Sequence, residues 1–329
     1  MTTLVPVKTG NAMTATTREC DVMDGVLVVH KETGWTSHDV VAKLRHLLGA
    51  TKVGHAGTLD PAATGVLPVL IGKGTRIAEY LVPWDKEYRA VLRLGETTDT
   101  QDATGTVLQR QMPGEVTRAD VEEAVGRFRG EIQQTPPMYS AVKVHGVPLY
   151  RSARAGKTIA RDARMVTIHE LEVLAIDGSD ITLRVVCSKG TYIRTLCADI
   201  GATLGVGGHL RTLERTRVGP LTLDRALTVD AVIARHALGR LADDLWSLDE
   251  ILGTLPALVV DRQTAERVRH GVPVTCSSIL SPQAQEVRRI GSTPVRIHDQ
   301  GGRLLAVGRA AQAQVDRIAI EKVLVNQSG

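Results

Sequence analysis

The residues most suited to chemistry lie in the segment 53–67, VGHAGTLDPAATGVL, which holds a single carboxylate, Asp60, among glycines and small side chains. Glycine and proline favour tight turns, and small neighbours let a bulky ligand approach the main chain. A carboxylate in such a loop can act as a nucleophile or stabilise a positively charged sugar, as in glycoside chemistry. Taken alone, the pattern also fits a surface turn in which Asp60 bonds its own backbone.

Other common sites are not indicated by the sequence. Gly72-Lys73 is followed by Gly74, where a P-loop requires Ser or Thr, and no GxGxxG motif follows a strand. The histidines near the start are not arranged as an HExxH zinc site, and no cysteines form a CxxC pair. We therefore expect no cofactor, no metal site and no disulfide framework.

The segments around the Asp60 loop predict the elements that position it. Residues 25–31, GVLVVHK, form an apolar run typical of a buried strand. A helix is expected to begin at Thr36-Ser37 and to end at Gly49, with its apolar residues on one face. The Asp60 loop follows directly, so a strand and a helix are expected to hold it in place.

Further along the chain, strands and helices alternate without a regular βαβ order. Strands are expected at 88–94, 165–174 and 180–187, a capping box at Thr117–Asp120, an extended loop at 134–137, a turn at 188–190 and a helix at 191–204. Beyond 253–256, a short helix at 264–270 and strands at 294–298 and 304–309 suit a small β-rich module. The pattern predicts an α+β fold with a mixed, mostly antiparallel sheet.

The composition is that of a soluble globular protein, because 43% of the 329 residues are hydrophobic and 23% are charged. No apolar stretch is long enough to span a membrane, and residues 1–24 lack the apolar core of a secretory signal. We expect a flexible tail over residues 1–24, a cytoplasmic location and no membrane partner.

Positive charge is concentrated in two runs, although the net charge is only +4. The first run spans residues 143–164 and the second spans residues 184–217; acidic residues are few in both. A single run of this kind is usually a solvated face. Two runs that flank a possible site favour a surface that follows phosphates.

Four motifs occur in order: GHAGTLDPAATG at 54–65, KEYR at 86–89, PPMYSA at 136–141 and SKGTYIR at 188–194. Together they resemble the tRNA pseudouridine synthase B family, over about residues 25–227. The resemblance implies an isomerase that converts the T-loop uridine at position 55 of tRNA to pseudouridine, without a cofactor. It also implies the pseudouridine-synthase fold, often followed by a small PUA-type RNA-binding domain.

The resemblance also implies roles for individual residues. Asp60 matches the essential aspartate, expected to act as nucleophile, and Arg194 matches the arginine that pairs with it and lowers its pKa. Because the target base must leave the RNA stack, the remaining positions bind the flipped nucleotide or its surroundings. Tyr88 is expected to stack on the uracil. Further substrate contacts are expected from His55 in the place of the flipped base, from Tyr192, and from Lys31 on a phosphate. Leu213 is either an apolar residue of the pocket or an ordinary leucine in the core of a helix.

Two regions depart from the family pattern. The family shows Asp-Lys-Pro-x-Gly after its first strand, whereas this chain has His30-Lys31-Glu32-Thr33-Gly34 and lacks the proline. The C-terminal region resembles a PUA domain only weakly. We expect a catalytic domain over residues 25–253 and a PUA-like RNA-binding domain over residues 254–329.

The expected partner is tRNA, bound through its T-loop and stem by a monomer without a guide RNA. The sequence leaves open whether Asp60 attacks C1′ or supports a glycal-type intermediate. One alternative is an RNA-binding protein that acts mainly as a tRNA-folding chaperone. Another is a glycosidase, which would need a second acid such as Glu79, Asp85 or Glu87.

Overall fold

A computed structural model of the chain describes residues 23–112, 114–140, 142–144, 146–280, 293–311 and 314–325. The tail expected over residues 1–24 lies almost entirely outside this range. The helices are α1 (Ser37–Leu48), α2 (Ala78–Leu81), α3 (Arg118–Gly126), α4 (Leu149–Arg154), α5 (Ile193–Thr203), α6 (Val229–Ala237), α7 (Leu248–Ile251) and α8 (Arg262–Arg269). Short 3-10 turns occupy Gly72–Ile77, Leu223–Arg225, Leu241–Asp244 and Cys276–Ser278.

The strands form a large sheet, two small hairpins and a C-terminal sheet. Those before residue 254 are β1 (Gly25–Lys31), β2 (Val53–His55), β3 (Thr64–Ile71), β4 (Lys86–Leu94), β5 (Glu96–Thr98), β6 (Val107–Arg110), β7 (Gly130–Gln134), β8 (Lys143–Val144), β9 (Val147–Pro148), β10 (Arg164–Asp177), β11 (Asp180–Cys187), β12 (Gly208–Val218) and β13 (Leu221–Thr222). The remaining strands are β14 (Ala257–Val259), β15 (Val274–Thr275), β16 (Pro294–His298), β17 (Leu304–Ala311) and β18 (Gln314–Val323).

The large sheet has the strand order β1-β3-β12-β4-β11-β10-β7, with β2 paired to β3 and β13 paired to β12. Its neighbouring strands run antiparallel except for β3 and β12, which are parallel. Helices α3 and α5 pack near one another over the sheet's main core, and α1 and α6 pack beside β1. The expected α+β fold with a mixed, mostly antiparallel sheet is confirmed.

Helix α1 begins and ends where the sequence predicts. The Thr36 side chain accepts a hydrogen bond from the Asp39 amide, and the Asp39 carboxylate accepts one from the Thr36 amide, which completes a capping box. Gly49 ends the helix with a φ of 58°, a conformation that glycine adopts readily. The buried face of the helix, Val40, Val41 and Leu44, joins the core formed with β1 and β3. This packing fixes the start of α1 beside the Asp60 loop.

Strand β12 is the element that the sequence analysis missed. The sequence left Leu213 open between a pocket residue and an ordinary helix-core leucine, and the structure places it on a strand between β3 and β4. Leu213 is half-buried, packs against the main core and lies opposite Ala90 of β4. The helical interpretation of this segment was therefore wrong, because neighbouring strands on both sides impose extended backbone on a polar sequence.

The C-terminal sheet has the order β14-β16-β17-β18-β15 and its own core, against which helix α8 packs. Two groups of polar contacts join it to the larger part of the chain. The Tyr80 hydroxyl donates to Glu321 Oε2 over 2.8 Å, and Asp249 Oδ1 lies 2.9 Å from His298 Nε2. The predicted short helix and the two predicted strands of this region are confirmed as α8, β16 and β17.

Among the helices of the described residues, none combines the length and the apolar character needed to cross a bilayer.

Candidate active site

The Asp60 loop connects β2 to β3 and is held at several points by the segment around the start of α1. Ser37 Oγ accepts a hydrogen bond from the Leu59 amide over 2.9 Å and donates to the Leu59 carbonyl over 3.2 Å. The Gly34 amide donates to the Pro61 carbonyl over 2.9 Å. These contacts lie on both sides of Asp60, so the carboxylate projects from a fixed backbone.

Arg194, in the first turn of α5, brings its guanidinium to Asp60. The Arg194 Nε atom lies 2.9 Å from Asp60 Oδ2, while Nη1 donates to the Thr100 carbonyl over 3.1 Å and Nη2 to the Tyr139 carbonyl over 2.8 Å. The Arg194 side chain is only 6% exposed, whereas that of Asp60 is 43% exposed. The arginine is therefore anchored inside the protein, and the carboxylate remains open to a ligand.

Two opposing effects act on the pKa of Asp60. Removal of water by the surrounding protein raises the pKa of Asp60 above its ordinary value, and the Arg194 guanidinium opposes that rise without reversing it. The expected lowering by Arg194 is therefore present, but the effect of desolvation is larger and the net pKa lies above the ordinary value. The carboxylate is consequently more basic than an ordinary aspartate.

A second carboxylate, Asp102, lies at the same guanidinium, with Oδ2 3.8 Å from Arg194 Nε. Its other oxygen, Oδ1, accepts hydrogen bonds from Thr100 Oγ1 over 2.8 Å, from the Thr104 amide over 2.9 Å and from Thr104 Oγ1 over 2.6 Å. The neighbouring Gln101 has a φ of 62°, in a region that non-glycine residues seldom adopt. Sequence reasoning missed Asp102, although an aspartate two positions from a threonine on either side indicates a self-bonded turn.

Tyr88 lies in β4 and is 9% exposed, so the protein covers most of its ring. Burial raises the pKa of its phenol, and the nearby Asp60 charge also acts in that direction. The Arg215 side chain hydrogen-bonds the phenol from the neighbouring strand β12. Sequence reasoning counted Arg215 only as one cation of a basic run, because nothing local indicates its burial.

His55 ends β2 and is half-buried at the same site. Its Nδ1 atom is buried and has no hydrogen-bond partner within the described part of the chain. Burial lowers the pKa of His55, and the charges of Arg215 and His38 act in the same direction. The surroundings therefore favour the neutral imidazole, and the buried Nδ1 is left without a partner among the described residues.

Tyr192 immediately precedes α5 and is half-buried. Its backbone is fixed by Gln134, whose side-chain amide bonds both the Tyr192 amide and the Tyr192 carbonyl. Because Arg194 is two residues further on, the same contact fixes the start of the helix that carries the arginine.

Lys31 lies beneath the loop rather than on the surface. The residue is 0% exposed, and its ammonium donates to the carbonyls of Glu32, Trp35 and Pro61 over 3.0, 2.7 and 3.2 Å. Burial lowers the pKa of Lys31 to about 8. This position differs from the exposed one that the expected phosphate contact requires, because the ammonium is already surrounded by backbone oxygens.

Six of the seven residues singled out from the sequence are linked to one site by contacts or strand pairing. Asp60 and Arg194 are in direct contact, and Lys31 donates a hydrogen bond to the Asp60 loop. Tyr88 and Leu213 lie on the paired strands β4 and β12. His55 and Tyr88 both lie near Arg215. Tyr192 is joined to the site through its helix. Within the described ranges, no group of three or more His, Cys, Asp or Glu side chains is arranged to hold a metal ion.

The chain is similar to known families and proteins over most of its length. Residues 45–193 match the family described as TruB family pseudouridylate synthase (N terminal domain), and residues 194–259 match the tRNA pseudouridylate synthase B C-terminal domain. The chain is 46% identical over 292 residues to the tRNA pseudouridine synthase B of Burkholderia lata, covering 88% of each protein. It is 47% identical over 289 residues to that of Ralstonia pickettii, covering 86% of this chain and 89% of the relative.

Among solved structures, the chain is similar to one in a crystal structure of a Cbf5-Nop10-Gar1 complex, with a TM-score of 0.73 and 28% identity over 94% of this chain and 88% of that one. A chain of the archaeal box H/ACA sRNP Nop10-Cbf5 complex gives a TM-score of 0.71 and 26% identity, covering 94% and 89%. The long matches to named synthases, together with the shared fold, show that this chain belongs to the TruB family of pseudouridylate synthases, which are isomerases.

Proposed function

We propose that this protein isomerises uridine to pseudouridine in tRNA, at T-loop position 55, and that Asp60 is the catalytic carboxylate. The observation that carries the proposal is the contact between Asp60 and the anchored Arg194, next to Tyr88 and His55. The tRNA pseudouridine synthase B relatives support the choice of substrate.

The reaction breaks the N1–C1′ bond, turns the uracil and joins C5 to C1′, while the proton on C5 is lost and N1 gains one. No atoms or electrons are gained overall. Asp60 faces the sugar in this scheme, where it attacks C1′ or stabilises the positive charge that develops there. Arg194 orients the carboxylate through Nε. Two backbone carbonyls bind the guanidinium, so it stays in place when the base turns.

The target base has to leave the RNA stack to reach Asp60. Tyr88 supplies an aromatic face for the extruded uracil, and Tyr192 and Leu213 complete the walls of the pocket. His55 takes the place that the base vacates, a role supported by its neutral ring and its unbonded Nδ1. The site needs no guide RNA in this scheme, because the T-loop is recognised by the protein.

The test is to incubate the protein with an unmodified tRNA transcript and to map pseudouridine by position. We expect modification at position 55, none with Asp60→Asn, and tRNA binding in both cases. Asp85→Asn is the matched control, since its carboxylate is 48% exposed and paired with His169. Loss of activity in Asp85→Asn would instead favour a second catalytic acid. Full turnover by Asp60→Asn would overturn the assignment.

A further inference from the structure

Arg215 is a buried cation between the Asp60 loop and Tyr88, and the reaction proposed above assigns it no role. The residue lies in β12 and is 1% exposed. Within the described ranges, it makes no ion pair with a carboxylate; its partners are two backbone carbonyls and a phenol. Burying an arginine without an opposite charge is costly, so packing alone does not account for this residue type.

The guanidinium contacts each part of the site through a different atom. Nε donates to the Val66 carbonyl over 2.8 Å, and Nη2 donates to the Gly57 carbonyl over 2.9 Å. These carbonyls lie on either side of Asp60 in the sequence. The same side chain also donates to the Tyr88 phenol. One planar group therefore joins both sides of the Asp60 loop to the aromatic ring.

Strand pairing explains how these contacts converge. Arg215 lies opposite Tyr88 in the antiparallel pair β12–β4 and opposite Gly65 in the parallel pair β12–β3. Strand β12 therefore lies between β4, which carries Tyr88, and β3, which follows the Asp60 loop. Arg215 lies on β12 next to both of these strands.

Two glycines of the loop leave room for this arginine. A Cβ atom at Gly65 would lie 2.2 Å from the Arg215 carbonyl oxygen, and Gly65 has a φ of +102°. A Cβ atom at Gly57 would lie 3.4 Å from Arg215 Nη1, and Gly57 has a φ of +97°. The loop is therefore shaped around the backbone and the side chain of Arg215.

During isomerisation the uracil is detached from the sugar and has to turn without leaving. This requires that the aromatic face beneath the base and the carboxylate beside the sugar keep a fixed separation. We propose that Arg215 is a positioning residue that locks Tyr88 to the Asp60 loop while the base turns. The inference rests on the proposed function.

The kinetic test compares wild type with Arg215→Lys, which keeps the positive charge but loses the planar fork. We expect the single-turnover rate of pseudouridine formation to fall by roughly 10²-fold, while the Kd for tRNA changes less than about threefold. Arg129→Lys is the control, because Arg129 also donates two N–H groups to one strand carbonyl, that of Leu171, away from the site. A wild-type rate in Arg215→Lys would overturn the inference.

A double-mutant cycle tests the link to the tyrosine. Tyr88→Phe keeps the ring and removes the hydroxyl that Arg215 bonds. If the arginine acts through Tyr88, the double variant is slower than wild type by clearly less than the product of the two single effects. A strictly multiplicative effect would overturn the link.

Amide hydrogen exchange shows whether Arg215→Lys loosens only the site or destabilises the whole fold. In Arg215→Lys we expect faster exchange in residues 54–66 and unchanged exchange in β10 and β11. If Arg215→Lys does not fold, Tyr88→Phe is measured instead, and unchanged exchange and rate there would overturn the inference. An inactive wild type would refute the proposed function itself, whereas an active wild type with an equally active Arg215→Lys refutes only this inference.

Discussion

Gln134 and Tyr192 hold each other through two hydrogen bonds that run in opposite directions. Gln134 Nε2 donates to the Tyr192 carbonyl over 3.0 Å, and the Tyr192 amide donates to Gln134 Oε1 over 2.7 Å. A side-chain amide thus substitutes for a neighbouring strand at the residue before α5. Since Gln134 is 2% exposed, water does not compete for either bond.

Replacement of Gln134 by leucine is expected to lower both stability and activity. The substitution leaves the Tyr192 amide without a partner and removes one of the two hydrogen bonds to the Tyr192 carbonyl, which still accepts from the Leu196 amide. The loss costs about 1–3 kcal/mol in the free energy of unfolding. The start of α5 loosens, so Arg194 no longer aims at Asp60 and the rate of pseudouridine formation falls. Urea unfolding and single-turnover kinetics measure the two effects. The exposed neighbour Gln133 provides the control, and equal effects of Gln133→Leu and Gln134→Leu would contradict the prediction.

The charge of Arg194 is expected to set the acid limb of the pH–rate profile. Asp60 has to be ionised, and its pKa is raised by burial and lowered by Arg194, so the rate declines as the pH falls through that pKa. Arg194→Gln removes the opposing charge and moves the limb to higher pH, whereas Arg194→Lys leaves it closer to the wild-type position. At their optimum pH, both variants react roughly 10²-fold more slowly because the Nε–H group that points at Asp60 is lost. An unmoved limb in Arg194→Gln would contradict this account.

Thr104→Val tests whether the fixed orientation of Asp102 matters. Valine removes the hydroxyl bond of 2.6 Å to Asp102 Oδ1 but leaves the bonds from the Thr104 amide and Thr100 Oγ1, so Asp102 is held less firmly beside Arg194. We expect the rate to fall roughly tenfold, equivalent to about 1.4 kcal/mol, with little change in Kd for tRNA. Thr106→Val is the control in the same loop, because the Thr106 bond to Asp99 uses the backbone amide, which valine retains. Similar rates for the two variants would refute the role.

Asp249→Asn is expected to weaken the junction between the two sheets in a pH-dependent way. Desolvation raises the pKa of Asp249, but hydrogen bonds from Arg296 and His298 outweigh it and leave the pKa below its ordinary value of 3.8. The folded pKa is depressed, so this stabilisation is complete above about pH 4 and is lost as the pH falls through the lowered pKa. At pH 7 the variant should lose about 1–2 kcal/mol of unfolding free energy, a modest value because the carboxylate is partly exposed.

Urea unfolding of this variant over a series from pH 7 to pH 3 provides the measurement. The difference from wild type should shrink as the acid end is approached. Asp243→Asn is the control, since its carboxylate is 62% exposed. A constant difference at every pH would show that the charge of Asp249 is not the cause.

The elements set by local signals were predictable from the sequence. Helix α1 is determined by the Thr36 cap, its apolar face and Gly49, all within one short segment. Asp60 stood out because glycines and small residues surround it. Its pairing with Arg194, by contrast, came from the resemblance of four motifs to a family, and no local rule joins the two residues.

The supporting residues could not be predicted because their partners are remote in sequence. Gln134 and Tyr192 are 58 positions apart, and Arg215 is 158 positions from Gly57. From the sequence, Lys31 and Arg215 are also expected at the surface, since charged side chains are rarely fully buried. Only the folded sheet shows that both lie beneath the loop, bonded to its carbonyls.

The position of β12 also sets the order in which the protein becomes complete during synthesis. Strands β3 and β4 leave the ribosome early and do not pair with each other, since β12 separates them. Until residues 208–218 are available, both strands present unpaired edges, which are prone to association with other chains. The sheet around Asp60 therefore cannot be completed before residues 208–218 are synthesised, and a nascent chain that stops before β12 has Asp60 but lacks Arg215.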